Sequence, residues 1–422
     1  MAFCAAMILP NNIIRETRTM NIARRLLLGG AASLAMPGII RAQSTSKPVK
    51  IGLLSDMSGP YRDVGGPGNR LATEMAIADF GGSVLGRPIE VMQADMQNKP
   101  DVASALARQW IDDLGVDALA DGAASSSGLA IQQMTREKKR IYLITGPATS
   151  DMTGAQCSPF ATHWCYDTYA LASGTGQAMT KAGGDSWFFI TADYAFGHAL
   201  ERDTMAAVKA NGGKVLGAVR APLGTADFSS FLVQAKASGA KVIGLANAGT
   251  DAQNCVKQAA EFGIMASGVK VATLLFQISD VNALGLPTSQ GLVYTDSFYW
   301  DADEKTRAWS KRFSDKMGAV PGLLHAGDYA AVTHWLKAIK AAGTTDAEAV
   351  VAKMKATKVN DFYNNDVTIR EDGRVLHKMF LWEVKKPSES KYRFDFCKPV
   401  ASLAGADAYR PLNAGNCPFI KV

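Results

Sequence analysis

From residue 49 onward the chain alternates short apolar runs with helical stretches, and that rhythm leaves few folds open. Val49–Asp56, Ile89–Asp95, Val116–Asp121 and Ile141–Thr145 are compact apolar runs. Runs of this length, apolar on both faces and bounded by turn residues, read as buried strands. Helical patterns lie between them, to about Phe80, from Asp101 to about Leu114, and over Leu129–Lys139. The rhythm resumes with strands predicted over Trp187–Ala192, Lys214–Ala221, Val242–Ala246 and Val269–Leu275. Strands alternating with helices of about 10–15 residues imply parallel βαβ units with right-handed crossovers.

The irregular stretch Gly146–Tyr166 separates the two series and marks one crossing between domains. A second is expected near Gly291–Trp300, ahead of helices at 303–318 and 325–341. A late strand around Lys378–Val384 must join a sheet already built, so the chain passes between its halves more than once. The fold class expected is α/β, with two doubly wound parallel-sheet lobes joined by a multi-crossover hinge. Residues 48–167 plus 297–370 form the N-terminal lobe, and residues 168–296 plus 371–422 the C-terminal lobe.

Residues 1–42 are read as leader and signal peptide. Arg24 and Arg25 precede the apolar run Leu26–Ile40, and small residues lead to a cleavage point at Ala42. The run is shorter than the roughly 20 residues a bilayer span needs, which separates a signal from an anchor. The paired arginines suggest the twin-arginine route, with general secretion the alternative. Met20 is a second candidate start. The remaining chain of about 380 residues is too long for one hydrophobic core. The full chain carries a formal +6, and the first 42 residues hold five arginines against Glu16, a net +4, which leaves +2. With no basic cluster interleaved with aromatics, a nucleic-acid surface is not expected.

In the oxidising compartment that an export signal implies, local cysteine pairs are candidate disulfides. Cys157 is expected to pair with Cys165 and Cys397 with Cys417, although four cysteines allow three pairings. Cys255, in a helical pattern, is expected to be free. His198 with Glu201, and His325 with His334, are better read as helix-face residues than as metal ligands, so no metal or cofactor is expected.

Ligands of parallel sheets bind beyond the carboxyl ends of the strands. Two loops there are rich in small hydroxyl residues: Gly122-Ala-Ala-Ser-Ser-Ser-Gly128, and Gly146-Pro-Ala-Thr-Ser150. Each alone is explained by a serine or threonine capping its own helix. Side by side they would make a nest of N–H groups and hydroxyls for one carboxylate. Neither matches a phosphate cradle.

The ordered set of Lys50-Ile-Gly-Leu-Leu-Ser-Asp-Met-Ser-Gly-Pro, the serine loop, Gly-Pro-Ala-Thr and Thr191-Ala-Asp-Tyr-Ala-Phe-Gly resembles one family over nearly the whole exported chain. It is the leucine/isoleucine/valine-type periplasmic binding proteins, the type I receptors of branched-chain amino-acid ABC importers. The resemblance implies two lobes that close on a ligand. It implies a carboxylate held by Ser125, the carbonyl of Pro147, Ala148 and Thr149, with Tyr194 on the second lobe's wall. The loop Asn247-Ala248-Gly249 matches a position where amino-acid binders commonly keep an aromatic, and here that spot is small. Gln277 falls where those binders commonly place an acid for the ligand ammonium. Tyr61 and Tyr169 belong to the cleft-facing aromatics, with Trp164, Tyr166 and Phe276 as weaker candidates.

An ammonium buried without a counter-charge is costly. Gln277 and the small residue at Ala248 therefore point to a flat aromatic carboxylate, of the benzoate kind. The expected function is an extracytoplasmic solute-binding protein that hands a small organic carboxylate to a membrane permease. A branched-chain or other amino-acid binder and a ligand sensor of the same fold are the alternatives. An enzyme is not expected, because no nucleophile, base and orienter set is visible. The protein is expected to be periplasmic and monomeric. If Arg24 and Arg25 head an export signal, mass spectrometry of the exported product will find an N-terminus near Gln43. An intact Met1 or Met20 terminus in the periplasmic fraction would contradict it.

Overall fold

The computed structural model describes residues 47–421, so the leader and signal assigned to 1–42 lie outside the described residues. The first sheet contains β1 (Val49–Ser55), β2 (Ser83–Val84), β3 (Arg87–Asp95), β4 (Ala118–Asp121), β5 (Ile141–Ile144) and β6 (Ala161–His163). Its order is β2-β3-β1-β4-β5-β6, parallel apart from the β2–β3 pairing. The second sheet contains β7 (Ser186–Ala192), β8 (Lys214–Ala221), β9 (Val242–Ala246) and β10 (Lys270–Thr273), in the order β10-β9-β7-β8, all parallel. A third, antiparallel sheet joins β11 (Val293–Asp296), β12 (Met379–Val384) and β13 (Cys397–Leu403).

Burial follows sheet position. In β1, between β3 and β4, Val49, Ile51, Leu53 and Leu54 are fully buried, as helices cover both faces. Burying each of these side chains contributes about 1.5–3 kcal/mol. In β8, at a sheet edge, exposed and half-buried residues alternate. The helices Leu323–Ala342 and Ala347–Ala356 return to the first sheet. Trp335, Ile339, Val350 and Met354 pack in one core with Val49, Ile51 and Leu143. The chain therefore crosses three times, after β6, after β11, and again before β12.

The crossings are tied together by a buried cation. The segment 373–375 pairs with the end of β6, where the His163 N–H donates to the Gly373 carbonyl at 2.9 Å and the Val375 N–H to the His163 carbonyl at 3.1 Å. Arg374 is fully buried. Its guanidinium donates to the Cys165 and Val375 carbonyls, lies 3.5 Å from the Asp167 carboxylate and stacks 4.5 Å above the Tyr409 ring. Asp167 also caps the helix Thr168–Leu171 by accepting from the Ala170 N–H at 2.8 Å.

The disulfide expectation is corrected. Cys157 bonds to Cys417, and Cys165, Cys255 and Cys397 are buried free thiols. β6 intervenes between Cys157 and Cys165 and carries Cys165 to the crossover, where its Sγ approaches the Pro147 carbonyl at 3.4 Å. Cys397 does not lie in an irregular tail; it opens β13, with its Sγ 3.3 Å from the Tyr294 hydroxyl. The chain beyond β13 folds back onto the loop after β5, where Arg410 donates to the Ser150 carbonyl at 2.7 Å. That return brings Cys417 to Cys157. Cys417→Ser should lower stability by about 2–4 kcal/mol in urea titration. Peptide mapping under non-reducing conditions should recover the 157–417 bridge, and a 157–165 bridge would contradict the fold.

Candidate ligand-binding site

A small, partly open cavity lies where loops of both parallel sheets meet. The first lobe contributes Tyr61, Val64 and Gly65 after β1, Asp121, Ala123 and Ser125 after β4, and Gly146 and Ala148 after β5. The second contributes Tyr194 and Phe196 after β7, Ala248 after β9 and Leu275 after β10; Tyr166 and Leu324 complete the wall. Apart from Leu324, at the start of the helix Leu323–Ala342, these residues follow strand carboxyl ends, so the side chains gather at the switch points of two sheets.

The same geometry aims helix N-termini at one place. The helices Gly66–Phe80, Ser125–Glu137, Ala195–Ala210, Thr250–Glu261 and Leu323–Ala342 all begin at or next to wall residues. Each brings free N–H groups and the positive end of its dipole. No Lys, Arg or His is among the wall residues. The cavity therefore offers an anion backbone dipoles and hydroxyls, within an aromatic and aliphatic wall whose one acid, Asp121, burial holds above its ordinary pKa.

At the first lobe's side the Ser125 Oγ accepts from the N–H groups of Ala148 and Thr149 at 3.2 and 3.1 Å. The two small-residue loops are thus joined, and the Ser125 proton remains available to an acceptor. The Thr149 hydroxyl is turned away, exchanging hydrogen bonds with Asp151 at 3.3 Å as it caps the turn Ser150–Thr153. The Pro147 carbonyl is taken by the ring Nε2 of His163 at 2.8 Å. Burial holds His163 far below its ordinary pKa, so the ring is neutral and donates there.

The lobes touch over the cavity. The hydroxyls of Tyr61 and Tyr194 share a 2.5 Å hydrogen bond, and the Thr250 N–H donates to the Pro60 carbonyl at 3.2 Å. Burial pushes both phenols above their ordinary pKa, so the pair stays neutral. Farther along, Ser150 donates to Asp203 at 2.7 Å and Arg202 bonds Ser150 and Asp151.

Of the residues singled out from sequence, Ser125, Ala148, Tyr61 and Tyr194 meet on the wall. Thr149 and Pro147 reach it through neighbours. Gln277 stands behind it, its amide donating to the Tyr166 hydroxyl at 2.8 Å. Its N–H is bonded by Asp280, whose carboxyl burial pushes up to about 7. Asn247 is buried beside the Cys255 thiol, and Tyr169 lies half-buried on the crossover helix away from the wall. Sequence reading missed Asp121, Val64, Phe196, Leu275 and Leu324. The position of Asp121, last in its strand and directly before the serine loop, was the available signal.

A family model described as periplasmic binding protein matches residues 48–391. The chain belongs to that family. Among solved structures, a periplasmic binding protein from Burkholderia mallei is 51% identical, with a TM-score of 0.87 over 89% of this chain and 100% of that one. A branched-chain amino-acid ABC transporter periplasmic ligand-binding protein from Burkholderia xenovorans LB400 is 38% identical, with a TM-score of 0.78 over 87% and 99% of the two chains. A solute-binding protein of an ABC transporter from R. palustris, in complex with 4-hydroxybenzoate, shares the fold at 24% identity and a TM-score of 0.75, over 85% and 97%. The match to a Leu/Ile/Val-binding protein homologue of Brucella melitensis, at 26% identity over 60% of this chain, spans 65% of that relative's length.

Ser125→Ala leaves the Ala148 and Thr149 N–H groups without their acceptor. Ligand-free stability should fall by about 1–3 kcal/mol in urea titration. An unchanged midpoint would mean that solvent serves those amides as well as Ser125 does.

Proposed function

We propose that this protein is the extracytoplasmic receptor of an ABC importer and captures a small organic monocarboxylate, an aromatic acid in preference, between its lobes. The observation that carries the reading is the convergence of five helix N-termini on a tyrosine- and aliphatic-lined cavity whose wall has no basic side chain. Such a site suits one delocalised negative charge; a phosphate dianion calls for Arg or Lys. The carboxylate takes the Ser125 hydroxyl and the N–H groups of Ala148 and Thr149. The ring lies among Tyr61, Tyr166, Tyr194 and Phe196. The R. palustris relative, bound to 4-hydroxybenzoate, supports the aromatic branch.

The mechanism is binding without chemistry. Residues 48–167 and 297–370 close as one lobe against 168–296 and 371–422, and the Tyr61–Tyr194 and Thr250–Pro60 bonds hold the closed form. A ligand touching both lobes stabilises that form, which the permease recognises. The signal read in residues 1–42 supports a periplasmic location for the receptor. Branched-chain amino-acid capture is the second reading, favoured by the names of the Brucella and B. xenovorans relatives. Against it, no acid of the second lobe is on the cavity wall.

Calorimetric titration with benzoate, benzamide, phenylalanine and leucine separates the readings. Benzoate should bind tightest. Replacing its carboxylate by the neutral amide should weaken binding about 10- to 150-fold, the value of a hydrogen bond to a charged group. Tight leucine binding with no response to benzoate would return the protein to amino-acid capture.

A further inference from the structure

Groups from outside the first sheet fix the loop that carries the Ala148 and Thr149 amides. The Ala148 carbonyl accepts from the Thr168 N–H at 2.8 Å, and the Ser150 N–H donates to the Thr168 hydroxyl at 3.0 Å. The Ser150 carbonyl accepts from Arg410 at 2.7 Å. The Asp151 carboxylate, which takes the Thr149 hydroxyl at 3.3 Å, meets the Arg202 guanidinium at 3.2 and 3.3 Å. At the centre is Asp203, its side chain 8% exposed. Its Oδ2 accepts from the Ser150 hydroxyl at 2.7 Å and from the Thr168 hydroxyl at 2.6 Å, and its Oδ1 accepts from the Arg202 Nε at 3.0 Å. Ser150 is buried and directly follows Thr149, whose N–H is one of the two amides on Ser125.

We propose that Asp203 is a positioning residue for the carboxylate nest, aiming the Ala148 and Thr149 amides through Ser150 and Thr168 and so tying the nest to the second lobe. The inference rests on the carboxylate reading above and adds how the grip of that site is controlled. A loop amide is aimed only as well as the bonds that fix its backbone. Hydroxyls donating to a carboxylate make charge-assisted bonds, which are among the stronger ones. Asp203 lies about two turns along the helix Ala195–Ala210, whose cap is Tyr194 and whose first turn holds Phe196, both on the cavity wall. The aromatic wall on one side and the amides on the other are thus fixed to one helix. Movement of that helix away from the first lobe draws on Ser150 and slackens the nest, so closing the lobes and gripping the carboxylate become one event.

The test is calorimetry of benzoate and benzamide, with urea titration of the ligand-free protein, on the wild type, Asp203→Ala, Asp203→Asn and Ser150→Ala. The two ligands differ only in the group the nest holds, so the preference for benzoate reads the nest. Asp203→Ala should cut that preference about 10-fold while benzamide affinity holds within about threefold. Ser150→Ala removes the same bond from the other side, should lose a similar factor, and serves if Asp203→Ala does not fold. Asp203→Asn removes the charge but keeps an acceptor oxygen for both hydroxyls, so its preference should stay within about threefold of the wild type. An unchanged preference in Asp203→Ala and Ser150→Ala, whatever the urea midpoint does, makes Asp203 a structural strut; it overturns the proposal and leaves the carboxylate reading standing. An equal loss in Asp203→Asn and Asp203→Ala traces the effect to charge rather than position and also overturns it. A wild type that does not distinguish benzoate from benzamide overturns both readings.

Discussion

A guanidinium with no exposure to solvent sits at the crossings of this fold, and the arrangement of everything around it depends on that group being satisfied. Leaving a buried charge uncompensated costs several kcal/mol. Arg374 therefore holds its acceptors where they are: the Cys165 and Val375 carbonyls, the Asp167 carboxylate and the face of Tyr409. Those groups belong to the first crossover, the third crossover and the C-terminal tail. The Cys157–Cys417 bridge fastens the same tail to the loop after β5. The carboxyl ends of the two parallel sheets are thereby brought face to face, which is what makes a site at all.

The proposed binding chemistry follows from that placement more than from special side chains. Helices that start at strand ends must point their N-termini at the space between the sheets, so their dipoles add there. In this structure the Ser125 Oγ occupies the Ala148 and Thr149 amides. A carboxylate would exchange with it, trading a neutral acceptor for a charged one, and charge-assisted hydrogen bonds are the stronger. The tyrosine pair above the cavity, neutral because it is buried, joins the lobes without placing a charge near the proposed carboxylate.

Much of this was legible in the sequence. Apolar runs such as Val49–Asp56 and Val242–Ala246 could hardly be anything but central parallel strands, and the positions of Ser125, Ala148, Tyr61 and Tyr194 follow from strand ends. The losses have physical causes. Cysteine pairing depends on where the tail returns, and nothing local to Cys417 says that it meets Cys157. Gln277 is at a strand end, yet its amide donates to Tyr166 behind the wall, while its backbone N–H is held by Asp280. The hydroxyl of Thr149 was diverted in the same way to Asp151.

The central claim is that the interlobe cavity takes a carboxylate on the first lobe's amide nest, with the ring toward the second lobe. A crystal structure with 4-bromobenzoate tests it most directly, since anomalous scattering locates the bromine directly. The carboxylate is expected on the Ser125 hydroxyl and the Ala148 and Thr149 N–H groups, with the bromine toward Tyr194 and Leu275. Bromine at the first lobe with the carboxylate reversed, or bound outside the cavity, would contradict it.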